Sequence, residues 1–237
     1  MPSWMRQPRF PGQIGLLNSA AVWHNKGMSV ICPTITTGDS HVYREQLEII
    51  ASYTDGVHLD FSDGIFAPSE LLPIDEAWRS DDLITHAHIM YQKPLEVIDD
   101  IIHLEADLVI LHAESDDVKK CLQALRENGT RTGIALLPET SVSDLQELEI
   151  DDLFDHVLIF GGHLGFQGSD ADLDQLDKVK RIRKAYPDIE IAWDGGVNDT
   201  NARQISDSGV SVLNVGGFLH NAESPKTVYD TLVSLVS

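Results

Sequence analysis

Residues 84–112 read ITHAHIMYQKPLEVIDDIIHLEADLVILH. An apolar run over 84–90 gives way to a helical pattern near 94–104, and a second apolar run follows over 107–112. Both runs are rich in Val, Ile and Leu, as expected of strands covered by helices. A strand, a helix and another strand in that order make a βα unit with the start of the next one.

The same alternation extends in both directions. Further strands are predicted at 29–34, 56–61, 132–137, 155–161, 189–194 and 211–216. Helical patterns lie near 42–52, 116–128, 142–148, 172–186, 199–208 and 224–236, whereas the connection around 70–80 is less regular. Gly129, Gly133 and Gly209 stand where helices should stop or strands begin. Eight strands with no Pro/Ser-rich linker, no GxGxxG and no Walker A sequence favour a closed α/β structure, a (β/α)8 TIM barrel, over a doubly wound sheet. The barrel is expected to be one domain over 29–237.

Residues 1–28 carry Arg6, Arg9 and Lys26 but no acid, with Pro2, Pro8 and Pro11 among them. They read as an irregular basic arm; the stretch is too poor in serine for a transit peptide, and Met28 is an alternative start. The whole chain of 237 residues has a formal net charge of −21. Such a surface repels nucleic acid and anionic lipid, and any small anionic ligand would need a local binding device. No apolar run approaches the ~18 residues of a membrane span. Cys32 and Cys121 form no CxxC pair, which suits reduced thiols in the cytoplasm.

Polar residues interrupt the strands near their C-terminal ends, where barrel active sites lie. Strand two ends His58-Leu59-Asp60, strand three His86-Ala87-His88, strand four at His112 and strand seven at Asp194. Residues two apart point to one face. A lone strand histidine is more often a hydrogen-bonded core residue, and a lone strand-end Asp is commonly a helix cap. Several meeting at one mouth would instead be costly to bury without a cation, and two His with two Asp suit a divalent metal.

The segment His58-Leu59-Asp60-Phe61-Ser62-Asp63-Gly64-Ile65-Phe66-Ala67-Pro68 resembles the signature of ribulose-phosphate 3-epimerases. The resemblance continues through Cys32-Pro33-Thr34-Ile35, His88-Ile89-Met90, His112-Ala113-Glu114, Gly165-Phe166, Asp194-Gly195-Gly196 and Gly216-Gly217. It implies a barrel of the ribulose-phosphate-binding type, a homo-oligomer and a metal held by His58, Asp60, His88 and Asp194. Mixed imidazole and carboxylate ligation suits Zn, Fe, Mn or Co. It also implies that Asp60 and Asp194 act as acid and base on opposite faces of a cis-enediolate, inverting C3 of a ketose phosphate such as D-ribulose 5-phosphate. A shared site should push their pKa values apart. Thr34 and Met90 would touch substrate, and the turns containing Gly165, Phe166, Gly168, Gly195, Gly196, Gly216 and Gly217 would bind phosphate through backbone amides.

Departures from the family pattern fall among the substrate contacts. Ser62 and Phe160 stand where methionines are usual, Ser69 where asparagine is usual, and Gly217 where a serine hydroxyl is expected. The strand-six loop reads His163-Leu164-Gly165-Phe166-Gln167-Gly168-Ser169 in place of Asn-Pro-Gly-Phe-Gly-Gly-Gln. His86 replaces an aspartate and is read as supporting or core, with His112 and Glu114 as supporting groups. Allulose 6-phosphate epimerisation and non-catalytic sugar-phosphate binding are the alternative readings. Asp60-Phe61-Ser62-Asp63 lacks the lysine of the related Asp-x-Lys-x-x-Asp decarboxylases.

Overall fold

The computed structural model describes residues 28–162, 164 and 168–237. The basic arm, apart from Met28, lies outside the described residues, as do His163, Gly165, Phe166 and Gln167. Eight parallel strands close into a barrel in sequence order. They are β1 (Val30–Ile35), β2 (Gly56–Ser62), β3 (Ile84–Met90), β4 (Leu108–His112), β5 (Arg131–Leu136), β6 (His156–Phe160), β7 (Glu190–Asp194) and β8 (Val212–Val215). Closure is made by β1 against β8, in register from Val30 with Val212 to Pro33 with Val215.

The helices are α1 (Ser40–Ala51), α2 (Ile98–His103), α3 (Val118–Glu127), α4 (Val142–Glu147), α5 (Leu176–Ala185), α6 (Ala202–Asp207), α7 (Gly217–His220) and α8 (Pro225–Val236). Local chemistry fixes their starts. Asp39 caps α1, its Oδ1 accepting from the amides of His41 and Val42 at 2.8 and 3.1 Å. Ser141 and Asp144 form a reciprocal capping box on α4. Gly129 follows α3 and Gly209 follows α6, as expected of both. Gly133 instead lies inside β5, where a Cβ would come within 3.0 Å of the His156 ring.

The second connection is irregular as expected, with a single 3-10 turn, Ile74–Glu76. Three other stretches differ from the sequence expectation. The helical patterns near 94–104 and 172–186 each open with a 3-10 turn before the α-helix begins. The four-residue α7 has no counterpart in the expected elements, and its His220 Nε2 donates to the Thr34 carbonyl at 2.6 Å, tying β8 to β1.

Apolar residues divide by strand parity. Val57, Leu59, Phe61, Val109, Leu111, Val157 and Ile159 join the larger core beneath the helices. Cys32, Leu108, Ile110, Ala135, Leu158, Ala192 and Val212 form a separate cluster inside the barrel. That apolar layer separates two polar groups, one at the C-terminal mouth and one at the N-terminal floor. Among the described residues no helix is long and apolar enough to cross a membrane.

Candidate active site

At the mouth, β2 supplies His58 and Asp60, β3 His88, and β7 Asp194. All four are buried, and one donor atom from each lies within 4.8 Å of the others. A single ion about 2.0–2.2 Å from each donor sets a span close to this. Asp60 and His88 are register partners across β2 and β3, which brings His88 Nδ1 to 3.0 Å from Asp60 Oδ1. The same nitrogen is 3.9 Å from Asp194 Oδ2.

His58 provides the test of fit for a metal. Its Nε2 is 3.3 Å from Asp60 Oδ1, yet it makes no hydrogen bond there, and the atom is fully buried. The approach is close but poorly aligned, so the nitrogen is left without a partner among a group of carboxylate oxygens. A buried imidazole lone pair of this kind is costly unless a cation takes it. The donor set therefore fits a divalent ion.

The surrounding residues hold these donors in place. Thr36 Oγ1 donates to Asp60 Oδ2 at 2.6 Å. His88 Nε2 meets His112 Nε2 at 2.9 Å, and His112 Nδ1 lies 3.3 Å from Glu114 Oε2. The other Glu114 oxygen accepts from the Leu137 amide at 3.0 Å and from the Thr140 hydroxyl. Phe66 packs against the His112 ring at 4.6 Å between centroids. Burial holds the His112 pKa down to about 4 despite Glu114, so this imidazole is neutral. The far nitrogen of His88 is thus held by a neutral imidazole that a carboxylate backs in turn, at the place where a metal-ligating histidine usually has a hydrogen-bond partner.

The two aspartates have opposite electrostatics. Burial pushes the Asp60 carboxyl up, but the close His58 imidazole and the hydrogen-bonded His88 outweigh it and bring it below the usual range. Burial raises Asp194, and the Asp60 charge raises it further. One carboxylate holds its charge while its neighbour more readily holds a proton, the division that acid–base pairs require.

A cavity of about 690 Å³ opens above this group. Thr34, Met90, Gly168, Gly195, Gly196, Gly216 and Gly217 all line it, as do Phe160 and Ser69. Gly165 and Phe166 lie outside the described residues. Ser62 is not in the wall; its hydroxyl turns into the following loop, donating to the Ala67 carbonyl at 3.4 Å and accepting from the Gly64 amide at 3.3 Å. His86 packs below the mouth against His156, with ring centroids 5.9 Å apart. No lysine or arginine lines the cavity among the described residues.

The turn after β7 cannot carry side chains. Gly195 and Gly196 have φ of 106° and 70°, and a Cβ at Gly196 would sit 2.2 Å from the Ala171 amide nitrogen. Their carbonyls are taken by side chains: Trp193 Nε1 donates to Gly195 at 2.9 Å, and Asn201 Nδ2 donates to Gly196 at 2.8 Å. The turn is fixed in shape with its backbone against the cavity.

Two residues at the site were not singled out from the sequence. Thr36 shares the strand face of Thr34, and Asn214 is the lone polar residue of β8. In each case spacing by two from a recognised position was the available signal.

The Ribulose-phosphate 3-epimerase family model matches residues 30–220. A ribulose-phosphate 3-epimerase from Bacillus subtilis is 28% identical over 209 residues, covering 84% of this chain and 95% of its own. The enzyme of that name from Aquifex aeolicus is 27% identical over 220 residues, covering 88% and 97%. In fold, 3-keto-L-gulonate-6-phosphate decarboxylase from Vibrio cholerae superposes with a TM-score of 0.65 at 13% identity, covering 88% of this chain and 97% of its own. The match spans every strand of the barrel and all four mouth residues, so the chain belongs to the ribulose-phosphate 3-epimerase family and is an epimerase.

Proposed function

We propose that this protein interconverts D-ribulose 5-phosphate and D-xylulose 5-phosphate by inverting C3. The observation that carries the reading is the buried quartet of His58, Asp60, His88 and Asp194, in which two carboxyls of opposite tendency share one point. Those four residues would hold a divalent ion, Zn, Fe, Mn or Co, which supplies electrophilic stabilisation of charge on the substrate's C2 and C3 oxygens.

Asp60 and Asp194 come from strands on different sides of the barrel and can flank C3 from opposite faces. One removes the C3 proton; the other returns a proton to the opposite face, and the roles exchange in the reverse direction. Thr36 keeps Asp60 oriented through its 2.6 Å hydrogen bond. The His88–His112–Glu114 chain fixes the His88 ring. Thr34 and Met90 bound the sugar, and the glycine turns at 168, 195–196 and 216–217 offer the phosphate backbone amides in a wall that has no lysine or arginine among the described residues. The two free cysteines, both buried, suit a reducing cytoplasm.

The test is NMR of the metal-loaded protein with D-ribulose 5-phosphate in D₂O. Deuterium at C3 together with new xylulose 5-phosphate is the expected result. Absence of both with metal bound, and with allulose 6-phosphate processed instead, would overturn the substrate assignment. Tight binding of either sugar phosphate with no C3 exchange would overturn catalysis itself.

A further inference from the structure

The seam between β1 and β8 forms one wall of the cavity, and two polar side chains there have no partner. Asn214 is 2% exposed, and neither its Oδ1 nor its Nδ2 makes a hydrogen bond. Thr34 is equally buried, and its Oγ1 is likewise without a partner. Both line the cavity. Asn214 is in register with Asp194 on one side and Cys32 on the other, so it stands one strand from the proposed acid–base residue. Two residues nearer the mouth on the same side is Gly216, where a Cβ would lie 3.6 Å from that of Thr34.

A buried primary amide with all its hydrogen bonds unmade opposes folding, while an aliphatic side chain of that size would fit an inner barrel wall without penalty. On β8 the residue one inward step below, Val212, is of that aliphatic kind and joins the inner apolar cluster. The amide is thus set where the apolar layer ends and the cavity begins. Its chemistry selects the ligand group. Oδ1 accepts and Nδ2 donates, so the matching partner must do both, as an alcohol does and a carboxylate or a methylene does not.

We propose that Asn214, together with Thr34, is a specificity-determining residue that takes a hydroxyl of the ketose phosphate close to the reacting carbon. This rests on the epimerase reading above. Asn214 neither transfers a proton nor binds the ion; it selects polyhydroxylated substrates over deoxy analogues, since a ligand without the hydroxyl leaves the amide buried and unpaired.

The experiment compares the metal-loaded wild type with Asn214→Leu and Asn214→Val. It measures kcat and KM for D-ribulose 5-phosphate, for its 4-deoxy analogue and for 1-deoxy-D-xylulose 5-phosphate, and thermal unfolding without ligand. Both variants should unfold at the same or a higher temperature than the wild type. KM for the full substrate should rise roughly 5–150-fold. The wild-type preference for the full substrate over one of the deoxy compounds should shrink by a similar factor. A lower unfolding temperature with unchanged KM and unchanged preference would make Asn214 a structural residue and overturn the proposal. Should leucine prevent folding, the smaller valine carries the same test. A wild type that exchanges no C3 hydrogen in either ketose phosphate would sink the epimerase reading and this inference with it. Normal wild-type turnover with the preference intact in the variants would sink this inference alone.

Discussion

The barrel interior has two polar ends built from similar residues, and they are wired differently. At the floor, Glu190 accepts from His156 Nδ1 at 2.9 Å and from Arg131 at 3.2 Å. Arg131 Nε also donates to Asp155 at 2.6 Å, and Arg126 Nε donates to Thr132 Oγ1 at 3.0 Å. Every floor carboxylate in this group thus has a cationic or imidazole partner. His156 Nε2 also lacks a hydrogen bond, but the other nitrogen of that ring is bound to Glu190, whereas at His58 both nitrogens are open. At the mouth, carboxylates and imidazoles crowd together with no arginine or lysine in the cavity lining among the described residues, and the His58 nitrogens and the Asn214 amide are left unmatched. Buried charge that is internally balanced supports the fold, whereas buried polarity left open is set for a ligand.

The largest effect expected from this contrast is at the mouth. Asp60→Asn and Asp194→Asn should each lower two-way epimerisation by about 10²–10⁴-fold, the range for losing a general acid or base. C3 deuterium exchange measured beside metal content checks this, and near-normal turnover in both directions by either variant would break the two-base assignment. At the floor, Glu190→Gln should lower unfolding stability, toward the low end of the ~3–5 kcal/mol typical of a broken buried pair, because Arg131 is partly exposed and keeps Asp155. Its turnover below the unfolding transition should be unchanged; denaturant titration and a rate assay on the same sample separate the two. Loss of turnover in the folded Glu190→Gln protein would mean that the ends are not independent.

His112→Gln should weaken divalent metal affinity by roughly 10–100-fold, as loss of a supporting partner does. Competition with a chelator reads it, and unchanged affinity would make His112 a packing residue. The smallest effect is on acid stability. Burial raises the Glu190 carboxyl, but His156 and Arg131 outweigh it, so its folded pKa lies below the unfolded one. Its contribution is fully present above the unfolded value of about 4.5 and is lost as pH falls toward the folded one. The depressed His156 begins to cost stability earlier, as pH drops below about 6.5, where the unfolded imidazole takes up protons. Denaturation at pH 7, 6, 5 and 4 should therefore show a shallow loss and then a steeper one. Glu190→Gln should flatten the second and, by taking away the carboxylate that raises His156, carry the first to lower pH.

The sequence made the mouth readable and the floor obscure for a physical reason. Strand parity and strand-end position brought His58, Asp60, His86, His88, His112 and Asp194 to the mouth, and the family resemblance picked His58, Asp60, His88 and Asp194 from among them. Parity does not give the stagger between strands. His86 and His88 share a face, yet one meets His156 at the floor and the other joins Asp60 at the mouth. Glu190 and His156 stand at the first positions of β7 and β6, where an acid or histidine reads as a boundary residue. The 70–80 connection carries only a 3-10 turn, too short to show a period. Asn214 had the correct parity, but a single amide in a strand gives no sign that its hydrogen bonds are unmade; only the packed barrel shows that.

The lack of lysine or arginine in the cavity wall among the described residues has a kinetic consequence. On a chain of net charge −21, a sugar-phosphate dianion approaches against the field, not along it. Added salt, by shortening the Debye length from about 30 Å at 0.01 M to about 10 Å at 0.1 M, should speed capture. The usual electrostatically steered enzyme slows under the same change. Ionic strength would then serve the role that a basic funnel serves elsewhere.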